Sequence, residues 1–303
     1  MQRRPRILLC LTVALILSRD QPAHTLVNGS ADFDHEAVGT ILVHQPGHPR
    51  GDWGSFCSAF LIHERVLLTA GHCVQQIEAQ LADGIFLDAR ISLQQDPFDP
   101  ATYVEGDPAA SGWRAIDDFV DNPDNPDWLD IPDILANWGT WHDQGAVVLS
   151  EPVTGLEPLM VPWTHGFVER LTRLQCELLP HGFCEPLLVA YGLHELPPTI
   201  APNERQSVVT AYQSIDPLFI HTAGEPGDAC LGDSGGAVIM QWFNGREMAV
   251  ALISSPADPF VLCTGSSLQY RLDTPSSLRF MREVIRDVER GHRPGHRSDP
   301  VGR

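Results

Sequence analysis

Residues 230–236 read CLGDSGG, and residues 69–73, far upstream, read TAGHC. The first stretch places Ser234 in a glycine-rich turn, and the second places His72 directly before a cysteine. A serine hydroxyl is a weak nucleophile at neutral pH and needs an imidazole to take its proton. It also needs a carboxylate to orient that imidazole, and backbone N–H groups that face the developing oxyanion. The two stretches therefore predict nucleophilic catalysis by Ser234 with His72 as the base.

The two motifs together resemble those of the trypsin-like, chymotrypsin-fold serine proteases, and the resemblance extends from about Leu26 to about Arg290. It implies an all-β fold of two Greek-key six-stranded β-barrels packed face to face, with a C-terminal α-helix. It also implies a serine endopeptidase that works through an acyl-enzyme, without a metal or an organic cofactor. The expected partners are protein or peptide substrates, and the protein is expected to be a monomer.

The resemblance implies a catalytic triad of His72, Asp143 and Ser234. Asp143 stands just before the apolar residues 145–149, which resemble a buried strand of the family. Another acid from the same aspartate-rich region, Asp130 or Asp133, is the alternative partner for the imidazole.

The oxyanion donors implied by the resemblance are the N–H groups of Gly232 and Ser234. Ser254 lies 20 residues past Ser234, where the family has a serine that bonds the buried aspartate. Ala237 replaces a common proline of the family, a change that we expect to affect loop stiffness more than chemistry.

Asp228 occupies the place of the acid at the bottom of the trypsin specificity pocket, which implies a preference for Arg or Lys before the scissile bond. Three features depart from the family pattern. Pro256 stands where a glycine normally offers an N–H to the substrate backbone, and the loop 255–262 is longer than usual. Ser267 stands where a pocket-lining glycine is expected. These departures put the preference for basic residues in doubt.

The chain starts with a segment typical of a secretory signal peptide. Arg3, Arg4 and Arg6 precede the apolar run 7–17, which is too short to span a bilayer. We therefore expect residues 1–25 to be removed and the protein to be secreted, either outside the cell or into the periplasm. The remaining chain would carry 16 basic and 38 acidic residues, a net charge of −22. Such a surface repels nucleic acids and anionic membranes, so neither is an expected partner.

The mature N-terminus is expected at Leu26, because residues 26–29, LVNG, resemble the start of the family's mature chains. The resemblance pairs the free amine of Leu26 with Asp233, since a buried carboxylate needs such a partner. Thr25 precedes Leu26, whereas an activating protease of this family would cut after Arg or Lys. Ala23 and Thr25 are small enough for signal peptidase itself to expose Leu26, without a separate zymogen stage.

Six cysteines remain after export, an even number that is typical of disulfides in a secreted chain. Six cysteines allow 15 pairings. The resemblance implies two of the pairs and leaves the last two cysteines for each other: Cys57 with Cys73, Cys230 with Cys263, and Cys176 with Cys184. Their spacings do not fit a Cys/His zinc template, so no metal site is expected.

Short β-type runs, separated by turns rich in Gly, Pro, Asn and Asp, dominate the chain. The predicted strands are 38–44, 58–62, 66–69, 85–91, 146–149, 187–191, 207–212, 236–240, 248–254 and 269–272. Thr274 and Pro275 predict the start of a closing helix with its apolar residues on one face. The expected domains are 26–152 for the N-terminal barrel, 153–290 for the C-terminal barrel with the helix, and 291–303 for a disordered tail.

The segment between His72 and Asp143 is longer than the family usually needs, which predicts an insertion, with 117–133 as its expected place. Aspartates recur there at threefold spacing. Such dense carboxylates could hold calcium, but the glycine and terminal glutamate of an EF-hand loop are missing. A solvated acidic loop is therefore the favoured interpretation.

Two other functions compete with a protease. One is an inactive trypsin-like homologue whose altered cleft serves binding. The other is an esterase or lipase on the α/β-hydrolase fold, but that fold has its serine in Gly-x-Ser-x-Gly and its histidine last in the chain. Here His72 comes before Ser234, which argues against the second alternative.

Overall fold

The computed structural model describes residues 26–48, 52–178, 184–192, 204–242, 245–261, 263 and 265–292. The predicted signal peptide and most of the predicted tail lie outside these residues. The strands of the described parts are, in chain order, β1 (Ser30–Ala31), β2 (Val38–His44), β3 (Trp53–His63), β4 (Val66–Thr69), β5 (Asp88–Ser92), β6 (Arg114–Asp121), β7 (Gly145–Leu149), β8 (Leu187–Ala190), β9 (Gln206–Val209), β10 (Ala211–Ile215), β11 (Phe219–Ala223), β12 (Ala237–Gln241), β13 (Glu247–Pro256) and β14 (Ser267–Arg271). The helices are α1 (Gly71–Ala82), α2 (Ile131–Ala136), α3 (Phe167–Thr172) and α4 (Pro275–Glu289), with a π-helical turn at Arg173–Leu178.

The N-terminal half forms a closed barrel of six antiparallel strands in the order β2-β3-β4-β7-β6-β5. Every residue of β4 and β7 is buried, because these neighbouring strands lie between the barrel interior and the rest of the molecule. An acidic insertion was predicted at 117–133, but the first residues of this range belong to a strand of the barrel. Residues 114–121 form β6, in which Val120 pairs with Ala146 of β7.

The C-terminal half forms one antiparallel sheet in the order β1-β9-β8-β12-β13-β14-β11-β10. Thr210 alone separates β9 from β10, yet these strands lie on opposite sides of the sheet order. The sheet therefore curls so that β9, near one end of the order, and β10, at the other end, meet at Thr210. If β9 and β10 count as one bent strand, the C-terminal half contributes six strands, which matches the predicted second barrel.

The segment before the first barrel belongs by its contacts to the second sheet. Ser30 of β1 pairs with Ser207 of β9, and Val27 forms an isolated bridge with Asp228. The expected assignment of all of residues 26–152 to the N-terminal barrel therefore needs correction at its start. The physical reason is that β1 pairs with the edge of β9, which would otherwise leave its backbone groups without partners.

The closing helix α4 forms as predicted. Its first turn is capped by Thr274, whose hydroxyl accepts from the N–H of Ser277 at 3.1 Å, and Pro275 fills the first helical position. Its buried face packs on the core that contains the first barrel.

Helix α1 was not predicted. Its buried residues Cys73, Val74 and Ile77 follow a helical spacing over a run rich in helix-forming Gln, Glu and Ala. None of the helices in the described part of the chain is long and apolar enough to cross a membrane.

Candidate active site

His72 lies in the first turn of α1, directly after β4. The disulfide between Cys57 and Cys73 ties this turn to β3. Gly71 is required here, because a Cβ atom at that position would come within 2.0 Å of the amide nitrogen of Asn125. In the sequence TAGHC, the end of β4, the glycine packed against Asn125 and the disulfide of Cys73 together hold the imidazole in place.

Asp143 is fully buried two residues before β7 and accepts hydrogen bonds from three groups. The Nδ1 of His72 lies 3.0 Å from Oδ2 and 3.2 Å from Oδ1, and the backbone N–H of His72 donates to Oδ1 at 3.0 Å. The hydroxyl of Ser254 donates to Oδ2 at 2.6 Å. With Nδ1 held as a donor to the carboxylate, Nε2 is left as the acceptor that a general base requires.

The alternative acids do not contact His72. Asp130 caps the start of α2, where it accepts from the N–H of Asp133 at 3.4 Å. Asp133 in turn accepts from the side chain of Asn137. Asp143 therefore contacts the imidazole, whereas Asp130 and Asp133 form a separate local hydrogen-bond network.

Ser234 lies in the turn before β12, and its backbone is anchored to the first barrel by the N–H of Ser58, which donates to its carbonyl at 2.8 Å. Gly235 follows with a φ of 83°, in the left-handed region that favours glycine. The Ser234 hydroxyl donates to the carbonyl of Ser254 at 3.5 Å and forms no hydrogen bond with His72. In sites without a substrate, such catalytic hydrogen bonds are often long and tighten only in the complex.

The N–H groups of Gly232 and Ser234 donate to no residue that the structure describes. Gly232 has a φ of 88°, and its carbonyl is held by the hydroxyl of Ser58 at 3.1 Å. A loop whose carbonyl is fixed and whose two N–H groups are unused can serve as an oxyanion hole.

A pocket opens beside Ser234. Its walls come from residues 228–231 and 253–256, and from Cys263 and Ser267. Asp228 is 2% exposed in this pocket and accepts from the Ser267 hydroxyl at 2.6 Å and from the N–H of Ala229 at 2.8 Å. Burial raises the pKa of Asp228, and these two hydrogen bonds offset only part of that effect. Among the residues that the structure describes, the carboxylate therefore has only neutral donors.

Asp233 is another fully buried carboxylate. It accepts from the N–H groups of Cys230 at 2.7 Å and Gly192 at 2.8 Å. Burial raises the pKa of Asp233 well above its usual range, despite these donors. Leu26 is fully buried, and the neighbouring Val27 donates its N–H to the carbonyl of Asp228 at 2.9 Å.

Three tryptophans that sequence reasoning did not single out form a row of ring contacts that starts at His72. Trp128 packs edge-on against the His72 ring at 5.4 Å between centroids, and Trp141 links it to Trp138 through two further edge contacts of 5.0 Å. The indole N–H of Trp138 donates to the carbonyl of Pro256 at 3.0 Å. The available signal was the occurrence of three tryptophans between positions 128 and 141, the first of them within the predicted insertion.

The predicted disulfides are all present: Cys57 with Cys73, Cys176 with Cys184, and Cys230 with Cys263. Within the described ranges, the only cluster of three potential metal ligands is Cys57, His72 and Cys73, and its two sulfurs are bonded to each other.

The acidic residues of 117–133 bind protein groups at separate places. Asp117 lies near Arg65, Asp121 accepts from Gln75, and Asp124 contacts α4 through Ser276. They do not converge on a common point.

A family model described as Trypsin matches residues 29–98. No curated protein matches the chain. Among solved structures, a mutant of human heparin binding protein is similar, with a TM-score of 0.57 and 15% identity over 86% of this chain and 97% of that one. At this identity the likeness concerns the fold alone. Together with the barrel, the curled sheet and the closing helix, these matches show that the chain has the chymotrypsin-type fold of the trypsin-like serine proteases.

Proposed function

We propose that the chain is a secreted serine endopeptidase that hydrolyses peptide bonds through an acyl-enzyme on Ser234. His72 acts as the base that takes the serine proton and later as the acid that protonates the leaving amine. Asp143 orients the imidazole and stabilises its protonated form, and the N–H groups of Gly232 and Ser234 stabilise the oxyanion.

The observation that carries this proposal is the surroundings of Asp143. A carboxylate with no exposed surface is costly unless its lone pairs are satisfied, and here both oxygens accept from His72 while Ser254 donates to Oδ2. The same Ser254 accepts the Ser234 hydroxyl on its carbonyl. Ser254 therefore connects the proposed nucleophile, Ser234, with the carboxylate that orients the proposed base.

The preference for Arg or Lys before the scissile bond is supported by Asp228. A cationic side chain that entered the pocket would give this buried carboxylate the charged partner that it lacks, and a charge-assisted hydrogen bond is about twice as strong as a neutral one. Ser267 works against this preference, because its hydroxyl already bonds Oδ1 of Asp228.

The proposed activation pair, Leu26 and Asp233, is supported by the burial of both residues. Removal of residues 1–25 would create an amine at Leu26, and a cation beside Asp233 would relieve the cost of its burial. N-terminal sequencing of the exported protein tests this step. A mature end other than Leu26 would reject it.

The competing proposal is an inactive homologue that binds peptides. One observation favours it: the Ser234 hydroxyl bonds the Ser254 carbonyl and leaves the imidazole without a serine partner.

Labelling with a fluorophosphonate separates the two proposals. We expect the exported protein to be labelled at Ser234, and a Ser234→Ala variant of unchanged melting temperature to remain unlabelled. A folded, exported protein that resists the reagent as fully as the variant does would favour the binding module.

A further inference from the structure

The last residues of β13 present a backbone edge to the cleft. Alternate residues of a strand turn their backbone groups to the same side. Ala257 donates to Ser266 at 2.8 Å on the side of β14, so Pro256 faces the other side. Ser254 lies at the register shift between Ile253 and Ser255 and has no partner in β14. On the side away from β14, backbone pairing continues to Ile253, which bonds Gly235 and Gly236, and the pocket of Ser234 begins beyond it. A peptide bound as an added strand would use this edge.

Most of this edge cannot pair with a peptide. Pro256 has no N–H to donate. Its carbonyl already accepts from the indole of Trp138 at 3.0 Å. The carbonyl of Ser254 accepts from the Ser234 hydroxyl at 3.5 Å, and a substrate N–H can replace that hydroxyl when it turns to His72. Of the Ser254 and Pro256 carbonyls, that of Ser254 is therefore the one that can accept from a peptide.

Trp138 is held in this position by its neighbours. It packs edge-on against Trp141, which packs against Trp128, and the latter two are 5% and 6% exposed. The backbone N–H of Trp128 donates to Gln75 of α1 at 2.8 Å, so the helix that carries His72 supports the aromatic row. The hydrogen bond from Trp138 to the Pro256 carbonyl is therefore held in place by packed neighbouring side chains.

We propose that, on the N-terminal side of the scissile bond, substrate recognition is confined to the residue directly before that bond, so that amides and esters with a single residue there are full substrates. Residues further toward the substrate N-terminus gain no backbone hydrogen bonds at Pro256, because Trp138 and the proline ring occupy that edge. Trp138 and Pro256 are the residues that set this specificity. The inference rests on the proposed function of the same site.

The test compares p-nitroanilides that share one residue before the scissile bond and carry either an acetyl group or acetyl-Ala-Ala in front of it. The ratio of kcat/KM between the long and the short substrate is the readout. We expect a ratio below about threefold for the wild-type protein, and above about tenfold for the double variant Trp138→Phe with Pro256→Gly, because one added hydrogen bond corresponds to about a factor of ten. Trp163→Phe, at an exposed tryptophan, is the matched control and should keep the wild-type ratio.

A wild-type ratio above tenfold, or a double variant that keeps the wild-type ratio, overturns the inference. If fluorophosphonate still labels Ser234 in that case, the proposed function stands while the inference fails. A second measurement does not need turnover. In a Ser234→Ala background, the Kd of the short and the long peptide amide should differ by less than about threefold, and a long peptide that binds tenfold more tightly overturns the inference.

Discussion

Asp143 and Asp228 are both buried carboxylates beside Ser234, but their partners differ. Asp143 is bonded by the titratable ring of His72 as well as by a serine hydroxyl, whereas Asp228 is bonded by the hydroxyl of Ser267 and one backbone N–H. A carboxylate whose partner can take a proton supports chemistry within the protein itself. A carboxylate with only neutral donors lacks a charged partner, which a cationic ligand could supply. Asp143 thus has its hydrogen-bond partners within the protein, whereas Asp228 has no charged partner among the residues that the structure describes.

The largest expected effect concerns the pairing of Asp143 with His72. Asp143→Asn keeps the shape of the side chain but presents an N–H to the imidazole, which selects the wrong tautomer of His72. We expect kcat to fall about 10⁴-fold with little change in melting temperature. Hydrolysis of a single-residue ester measures the effect, with Asp130→Asn as the control that should stay near wild type. An Asp143→Asn enzyme within tenfold of wild type would show that another acid serves His72.

The next effect tests whether the serine turn depends on its close contacts with the first barrel. A Cβ at Gly235 would lie 2.2 Å from the Thr69 hydroxyl and 2.3 Å from the Ser58 carbonyl, at a φ of 83°. We expect Gly235→Ala to lower the free energy of unfolding by more than about 3 kcal/mol, because steric overlap adds to backbone strain. Gly245→Ala has a similar φ of 78° and no atom within 4 Å, so it should cost only about 1 kcal/mol. Urea unfolding measures both, and equal losses would contradict the role of the contacts.

Asp32 extends the comparison to a buried carboxylate outside the cleft with a titratable partner. His35 Nδ1 lies 2.7 Å from Asp32, and its Nε2 lies 3.2 Å from Glu247. Burial acts to raise the pKa of Asp32, but the hydrogen bonds and charge of His35 outweigh it and lower the pKa to about 2. A lowered carboxylate pKa contributes stability above about pH 4 that is lost as the pH falls toward 2, here about 2 kcal/mol.

The measurement is the free energy of unfolding of wild type and Asp32→Asn between pH 2 and pH 5. We expect wild type to be the more stable protein at pH 5 and the difference to shrink toward pH 2. Burial also acts on His35, but the hydrogen bond and charge of Asp32 raise its pKa, so its contribution is present below pH 6.5 and is lost as the pH rises through the folded-state pKa. A difference that does not change with pH would exclude the ion pair as its source.

The smallest expected effect concerns Asp228 and Ser267 in the pocket beside Ser234. Ser267→Gly removes one of the two neutral hydrogen bonds that Oδ1 of Asp228 accepts and leaves the other, from the N–H of Ala229, so the carboxylate is less satisfied before a cationic substrate binds. We expect the preference for Arg over Ala before the scissile bond to rise about tenfold, the value of one charge-assisted hydrogen bond. Paired chromogenic substrates measure it, and Ser266→Gly, at an exposed hydroxyl bonded to Gln213, is the control. An unchanged preference would show that Ser267 does not limit Asp228.

Local patterns predicted much of the architecture. The prediction of many short strands and the Thr274–Pro275 helix start are confirmed, because strand runs and helix capping depend on few neighbouring residues. The cysteine pairs, which the resemblance to the family implied, are also confirmed. Strand β6 was missed because its acidic composition concealed the alternation, and β1 was placed in the first half because it lies there in sequence. Helix α1 was missed although its spacing was visible.

The sequence by itself determined which chemical groups are present and in what order, because a glycine-rich serine turn and a histidine at a strand end are local features. Only the tertiary structure decided which acid meets His72, how Ser267 binds Asp228 and how Trp138 covers Pro256. These contacts join residues 71, 39 and 118 positions apart. Such partners are set by how the first barrel, the second sheet and the segment between β6 and β7 pack together, and no local spacing encodes that arrangement.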